Sequence, residues 1–251
     1  MGIGIQLYSV REELKQDFQS TLRTLAEIGF GSVEFAFTFG DMPADELSAF
    51  LKELDLSCCG VHTDIAQLLD PDSDLYAYVK ALGIPFVTTS CLDKVQEGVW
   101  QQTVAQLAEV GRAASEQGVR FTYHNHHQEF EPIAGMRALD YLLENTPADL
   151  VGAELDTAWA MKGGETPEDY IRRHATRIRQ IHLKDFDPDT NDGTELGSGC
   201  VDLPAVFAAA GEIGCKHMIY ELDESTLGSS LESARRSIQY LKDAGLAQGA
   251  T

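Results

Sequence analysis

The chain has 251 residues, long enough for one large α/β domain or two ordinary ones, with a substantial core in either case. Forty acidic against nineteen basic residues give a formal net charge of -21. A field of that sign repels phosphate backbones and anionic bilayers, so nucleic acid and membrane are excluded as partners, and an anionic substrate would need a locally positive pocket such as a bound divalent cation provides.

Residues 3–9 read as a first strand, and residues 10–28 as a helix, with Leu14, Phe18, Leu22 and Leu25 at helical spacing and Gly29 as its stop. A second strand, 32–36, precedes a helix over 43–54, with Asp41 or Met42 near its cap and Pro43 in its first turn. Strand 57–62 is followed by a helical stretch ending near Gly83. Strand 85–90 leads to a helix over 98–117, stopped by Gly118. Strand 120–126 runs into a polar loop and a helix over 136–144. Strand 151–157 precedes a helix capped by Thr166 with Pro167 in its first position. Strand 179–185 is followed by a loop over 186–201, rich in Gly, Asp and Thr, and a helix over 203–210. Strand 217–223 and a helix over 231–244 complete the series, and residues 248–251 read as a frayed tail.

Eight strands alternating with eight helices match a (β/α)8 TIM barrel built as a single domain over residues 1–251. The rival, a doubly wound open sheet, lacks its GxGxxG after the first strand and would gather its polar residues at one switch point. The five cysteines are odd in number and show no CxxC spacing, so they read as small buried hydrophobes of a reducing compartment. Residues 1–10 have no signal-peptide character and no stretch is long and apolar enough to span a bilayer, which predicts a cytoplasmic protein.

Strand ends carry the chemistry. In Val151-Gly152-Ala153-Glu154-Leu155-Asp156, Glu154 and Asp156 share one face, and in the strand reaching Lys184, His182 and Lys184 do the same. Parity extends the inward set to Gln6, Tyr8, Glu34, His62, His124, His126, Glu221 and Asp223. Carboxylates and imidazoles crowded together in a barrel mouth repel or desolvate one another unless a cation uses them as ligands. One divalent metal ion is the economical inference, and mixed nitrogen and oxygen donors suit Mn, Co, Zn or Fe, with Mg less favoured. Structural alternatives stand beside these roles: His62 as a hydrogen-bonded core histidine, Lys184 paired with Asp185 or Glu154, Glu34 paired with Arg11, and Trp159 packed under a loop. His127, His174 and His217 read as surface or structural.

The segments Glu154-Leu155-Asp156-Thr157, Ile181-His182-Leu183-Lys184-Asp185, Leu196-Gly197-Ser198-Gly199-Cys200-Val201-Asp202 and Tyr220-Glu221-Leu222-Asp223 together resemble the xylose-isomerase-like barrels, a family of sugar and sugar-phosphate isomerases and epimerases that includes inosose dehydratase and, more distantly, endonuclease IV. The resemblance implies a metal held by a Glu, an Asp, a His and a Glu on strands five to eight. Asp156, His182 and Glu221 match in type; at strand five His124 stands where epimerases place Glu. His124, Glu129 or Glu154 then supplies the fourth ligand, with His124 favoured. The implied substrate is a small sugar, with Trp159, His62, His126 and Glu154 as substrate-binding candidates, and a homodimer is implied by analogy only.

The expected reaction is proton abstraction from the carbon beside a carbonyl through a metal-stabilised enediolate, with Glu221 or His124 as base and Lys184 on the oxyanion. Isomerisation or epimerisation leads. Dehydration of a keto-sugar or keto-inositol is the alternative, motivated by the histidines of strand five, because an imidazolium can protonate a departing hydroxyl. A non-catalytic sugar-binding barrel is the alternative of another class.

Overall fold

Eight parallel strands close into a barrel in this computed structural model, which describes residues 2–90 and 94–247. They are β1 (Gly4–Gln6), β2 (Ser32–Ala36), β3 (Ser57–His62), β4 (Phe86–Thr89), β5 (Arg120–His124), β6 (Val151–Asp156), β7 (Ile178–Leu183) and β8 (His217–Tyr220). Closure is made by β1, which pairs Gly4 with Ser32 of β2 on one side and with Ile219 of β8 on the other. That removes the open-sheet alternative, since no edge is left in the main sheet.

The apolar residues of the strands face outward and meet the helices. Val33, Phe35, Val61, Val87, Tyr123, Leu155, Ile181 and Tyr220 are almost fully buried, as are Leu22, Leu25, Leu47, Trp100, Leu107 and Leu241 from the helices that cover them. Each such side chain stabilises the fold by roughly 1.5–3 kcal/mol. Because this layer lies outside the barrel, the interior is free to carry polar side chains.

Several local expectations are corrected. The first strand ends at Gln6, whose Oε1 accepts the Tyr8 amide at 3.1 Å, and the chain turns at once into a 3-10 segment, Leu7–Val10. Alternation therefore fails at Tyr8, which stands exposed on the rim instead of pointing inward. The first helix is two, Arg11–Gln16 and Phe18–Ile28, because Asp17 is extended (φ -155°) and its carboxylate caps the second by accepting from Ser20 N at 2.9 Å. Pro43 is the cap residue of Ala44–Glu53, not part of its first turn. Pro167 does open its helix, but Thr166 makes no side-chain capping bond. The helix expected from residue 136 begins at Ala138, since Met136–Arg137 pairs antiparallel with Pro132–Ile133. Cys58, Cys59 and Cys215 are buried, whereas Cys200 is exposed; Cys91 and the tail at 248–251 lie outside the described residues.

The Gly-rich loop after β7 is held by one side chain. Asp185 accepts backbone N–H groups from Gly197 (3.0 Å), Gly199 (3.1 Å) and Val201 (3.0 Å), and a Cβ at Gly199 would collide with that carboxylate. Asp202 then caps Leu203–Glu212. The alternative that paired Lys184 with Asp185 does not hold, since Lys184 pairs with Asp156, Glu221 and Asp223. Among the described residues no helix is long and apolar enough to cross a membrane.

Candidate active site

The barrel interior departs from the branched apolar filling usual in this architecture. Thr88 and Thr122 share a hydrogen bond of 2.7 Å, Thr122 donates to Gln180 Oε1 (2.9 Å), Gln180 donates to Glu34 Oε1 (3.0 Å), and Gln6 donates to Glu34 Oε2 (2.9 Å). This chain of contacts crosses five strands in the buried centre and leaves Glu34 saturated with donors. Glu34 therefore does not pair with Arg11, which bonds instead to the backbone oxygens of Tyr8 and Asp223. Thr88 and Thr122 were not found by sequence reasoning, because a neutral hydroxyl on a strand carries little signal.

Above and partly within this layer, the described residues form two groups of four donors that share His182. In one, His124, Asp156, His182 and Glu221 bring ligand atoms within 4.8 Å of one another; in the other, Glu34, His62, Glu154 and His182 do so. They differ in how far they are already satisfied. His62 Nε2 lies 2.6 Å from Glu154 Oε2, and His182 Nε2 lies 2.7 Å from Glu34 Oε2, so short hydrogen bonds hold the second group together and leave only its Glu154 Oε1 unbonded. In the first, His124 Nε2 and Asp156 Oδ2 are buried without a hydrogen-bond partner, at 3.8 Å from one another, and His124 Nε2 is 3.7 Å from Glu221. Orphaned buried polar atoms are costly, and donors at these separations fit around a single ion. The first group is thus the better cradle for a cation.

Each member is aimed by its element. Asp156 ends β6 and spends Oδ1 on the Trp159 amide (2.8 Å) as cap of Thr157–Lys162, which leaves Oδ2 facing the barrel axis. Its own amide donates to Asn125 Oδ1 at 3.1 Å, tying β6 to the end of β5. His182 directs Nδ1 toward Glu221 (2.9 Å) and Nε2 toward Glu34. Of the three candidates for a fourth donor, Glu129 is turned away, bound to the Tyr123 hydroxyl (2.6 Å) and the His126 amide (2.8 Å), and Glu154 belongs to the group around His62.

A cavity of about 370 Å³ opens above the cluster, lined by Gln6, His62, His124, His126, Glu221 and Asp223 among others. Lys184 lies beneath it, 2.6 Å from Asp223, 3.5 Å from Glu221 and 3.7 Å from Asp156, and does not reach Glu154. Trp159 packs between Lys162 and Lys184, which sit 4.7 and 4.9 Å from its ring, and beside His126; the indole N–H and His126 Nδ1 are buried and unpartnered. His217 sits edge-on to Phe86, and His174 pairs with Asp140, both away from the cluster.

The sequence profile of the xylose isomerase-like TIM barrel matches residues 22–244. The chain belongs to that family. It is similar to an inosose dehydratase of Clostridium botulinum, 24% identical over 166 residues that cover 59% of this chain and 55% of that protein. The chain thus spans about half the length of the curated relatives it matches. Among solved structures, a sugar phosphate isomerase/epimerase from Parabacteroides distasonis superposes with a TM-score of 0.84 at 22% identity, covering 98% of this chain and 95% of that one. The IOLI protein, solved with a bound zinc atom, superposes at 0.74 with 16% identity over the whole of both chains.

Charge in this xylose isomerase-like barrel is partitioned sharply. Burial lowers the His124 imidazole, and neighbouring His182 lowers it further, so it sits well below the usual range; His126, buried beside His124, is pushed down to about 3. Burial would lower His62 too, but Glu154 and Glu34 outweigh it and raise the group to about 10. The strand-five histidines are therefore neutral, and the imidazolium expected there is supplied by His62 on β3. Glu221 would rise by burial but is held well below the carboxylate range by Lys184 and His182. Burial lifts Asp156 to about 6, opposed by Lys184.

The His62 value has a measurable consequence. Its folded pKa lies above the unfolded value near 6.5, so its contribution to stability is complete below about pH 6.5 and disappears as pH rises through about 10. The melting temperature of chelator-treated protein should fall between pH 7 and pH 10, and His62→Gln should flatten that part of the profile. A wild-type curve as flat as the variant's would remove the imidazolium.

Proposed function

We propose that this protein is a divalent-cation-dependent sugar isomerase or epimerase that removes a proton from the carbon beside a carbonyl. The observation that carries the reading is the convergence of His124, Asp156, His182 and Glu221, two of them with orphaned donor atoms, at the floor of a cavity sized for one sugar ring. A cation held by these four residues would polarise the carbonyl and favour negative charge on its oxygen; Mn, Co, Zn, Fe and Mg all remain compatible. Zinc is bound by the IOLI protein, a structural neighbour.

The chain's own groups account for the proton traffic. Glu221, kept ionised by Lys184 and His182, accepts the proton, with neutral His124 as the other base facing the cavity. Lys184, raised above its ordinary value chiefly because Glu221, Asp156 and Asp223 outweigh its burial, stays cationic and offsets charge on the enediolate oxygen. His126 lines the cavity and is placed to meet a sugar hydroxyl, while Trp159, covered by Lys162 and Lys184, packs beside it and does not line the cavity. Asp156 and His182 are fully buried and support the cluster without meeting substrate.

A second reading, dehydration of a keto-sugar or keto-inositol, is favoured by His62: an imidazolium opening on the same cavity can protonate a departing hydroxyl. The relative from Clostridium botulinum is named for such a reaction. Incubation with 3-keto-glucose and keto-inositol in D2O, after loading with Mn²⁺ or Zn²⁺, separates the two. Deuterium at the carbon beside the carbonyl without loss of water supports isomerisation or epimerisation. Enone absorbance supports dehydration, and the absence of both with every metal would sink the reading.

A further inference from the structure

The cavity above the cluster does not end at its rim. A groove of about 730 Å³ adjoins it, and Tyr8, Arg11, Ala36 and Phe37 line both. The groove runs outward over Leu14 and Phe18 toward Asp41. Tyr8 and Phe37 are 42% and 62% exposed, large values for aromatic side chains, and both stand on this shared rim.

The rim is built against its own backbone preferences. Phe37 has φ 62°, a conformation that costs a bulky residue and that gathers at ligand sites, whereas Gly40 (69°) and Asp41 (55°) adopt it more readily. Gly40 is required, because a Cβ there would run into the Phe18 ring that floors the groove. Arg11 lies over the Tyr8 ring at 4.2 Å while donating to the backbone oxygens of Tyr8 (3.0 Å) and Asp223 (2.6 Å). Asp223 in turn holds Lys184, so the groove wall is tied directly to the cluster.

We propose that this groove is a second subsite and that the substrate is a glycoside: one keto-sugar ring in the cavity, joined through its glycosidic oxygen to a second ring seated over Tyr8 and Phe37. This rests on the reading above that a keto-sugar occupies the cavity. Three observations select a ring over other occupants. The cavity has room for one ring, at the lower end of ligand-pocket sizes, and the groove continues from it through four shared lining residues. The exposed Phe37 ring, beside a Tyr8 ring backed on one face by Arg11 and with Asp41 in the groove wall, offers what a sugar or aryl ring needs, apolar on its face and polar at its edge. A second copy of this chain, carrying -21 itself, is disfavoured by repulsion.

The test compares 3-keto-glucose with its phenyl and glucosyl β-glycosides in the metal-loaded enzyme, reading KM and kcat separately. It is joined by calorimetric binding of D-glucose and phenyl β-D-glucoside, which needs no turnover. The glycosides are expected to have KM values at least about tenfold lower, the effect of one stacked ring, at similar kcat, and phenyl β-D-glucoside to bind correspondingly better than glucose. Leu14→Arg, which fills the groove floor and touches nothing in the cavity, should erase both differences while leaving turnover of the monosaccharide unchanged. Equal KM values and equal binding in the wild type would overturn the subsite while leaving the keto-sugar chemistry intact. Failure of every sugar to exchange deuterium, with the glycoside still binding better than glucose, would overturn that chemistry and retain the subsite. A dimer in sedimentation that Leu14→Arg dissociates, with no glycoside preference, would assign the groove to a second copy and end the proposal.

Discussion

Asp156→Asn is expected to abolish divalent-cation binding and to lower kcat/KM on a keto-sugar on the order of 10²–10³-fold, the scale seen when one charge-stabilising group is lost from an active site. The substitution is chosen because the two carboxylate oxygens do different jobs. Oδ1 accepts the Trp159 amide and caps the helix Thr157–Lys162, a bond that the Asn side-chain oxygen keeps. Oδ2 is buried, accepts no hydrogen bond, and faces His124 Nε2 at 3.8 Å and Lys184 Nζ at 3.7 Å; in the variant an NH2 group takes its place, which no cation accepts as a ligand. Fold and stability should therefore change little while the metal is lost. Because burial lifts Asp156 to about 6, cation binding must also displace its proton below that pH, so affinity should rise through pH 6 and level off above it. Elemental analysis of protein purified without chelator checks the first point and a metal titration at pH 5 and 8 the second. One equivalent of metal retained by the Asn variant would remove Asp156 from the site.

How much of this was legible beforehand follows from what side-chain parity can and cannot carry. Alternation along β6 and β7 turns Glu154, Asp156 and His182 inward wherever those strands lie, so these residues could be named without knowing their neighbours. The eightfold repeat of strand and helix likewise gave the barrel. Alternation does not say which inward residues meet, since that depends on the stagger between strands. His182 and Glu34 are 148 residues apart and bond only because the closed barrel sets β2 and β7 across the axis from one another. The division into two groups of donors, one more fully hydrogen-bonded than the other, was therefore invisible. Tyr8 was misplaced for a different reason: β1 is three residues long, and the Gln6 side chain stops it by capturing the next turn. The strand-five imidazolium failed on electrostatics, because burial lowers both His124 and His126, His182 lowers His124 further and His124 lowers His126, and the carboxylates near His124 stand off at 3.7–3.8 Å, while His62 bonds Glu154 at 2.6 Å. A histidine's charge is set by what faces it, which the linear order does not contain.

Glu34→Gln should weaken the cation site by about 10–100-fold although Glu34 never touches it, and should destabilise the chelator-treated protein by roughly 3–5 kcal/mol. The first effect comes through His182. With Nε2–H donated to Glu34 at 2.7 Å, the ring presents Nδ1 to the side where Glu221, 2.9 Å away, and Asp156 lie, so the carboxylate fixes both the tautomer and the ring plane. The second effect comes from what Glu34 compensates. His62 and His182 are both raised above their ordinary values in part by this carboxylate, and Gln6 and Gln180 each donate an amide N–H to it. Glutamine has the same shape but only one accepting oxygen, so its NH2 must face a donor on one side or the other. Burial alone would raise Glu34, but His62 and His182 hold it well below the carboxylate range. Its contribution is therefore present above the unfolded value near 4.3 and lost only as pH falls through the depressed one, and the stability deficit should hold from pH 5 to 8. A denaturant titration reads that deficit and a metal titration reads the affinity. Excess metal should restore kcat in Glu34→Gln, as expected of a residue that acts through a ligand, and should not restore it in Asp156→Asn. Wild-type affinity and stability in Glu34→Gln would mean that His182 is oriented by Glu154 alone, which lies 3.2 Å from the same nitrogen.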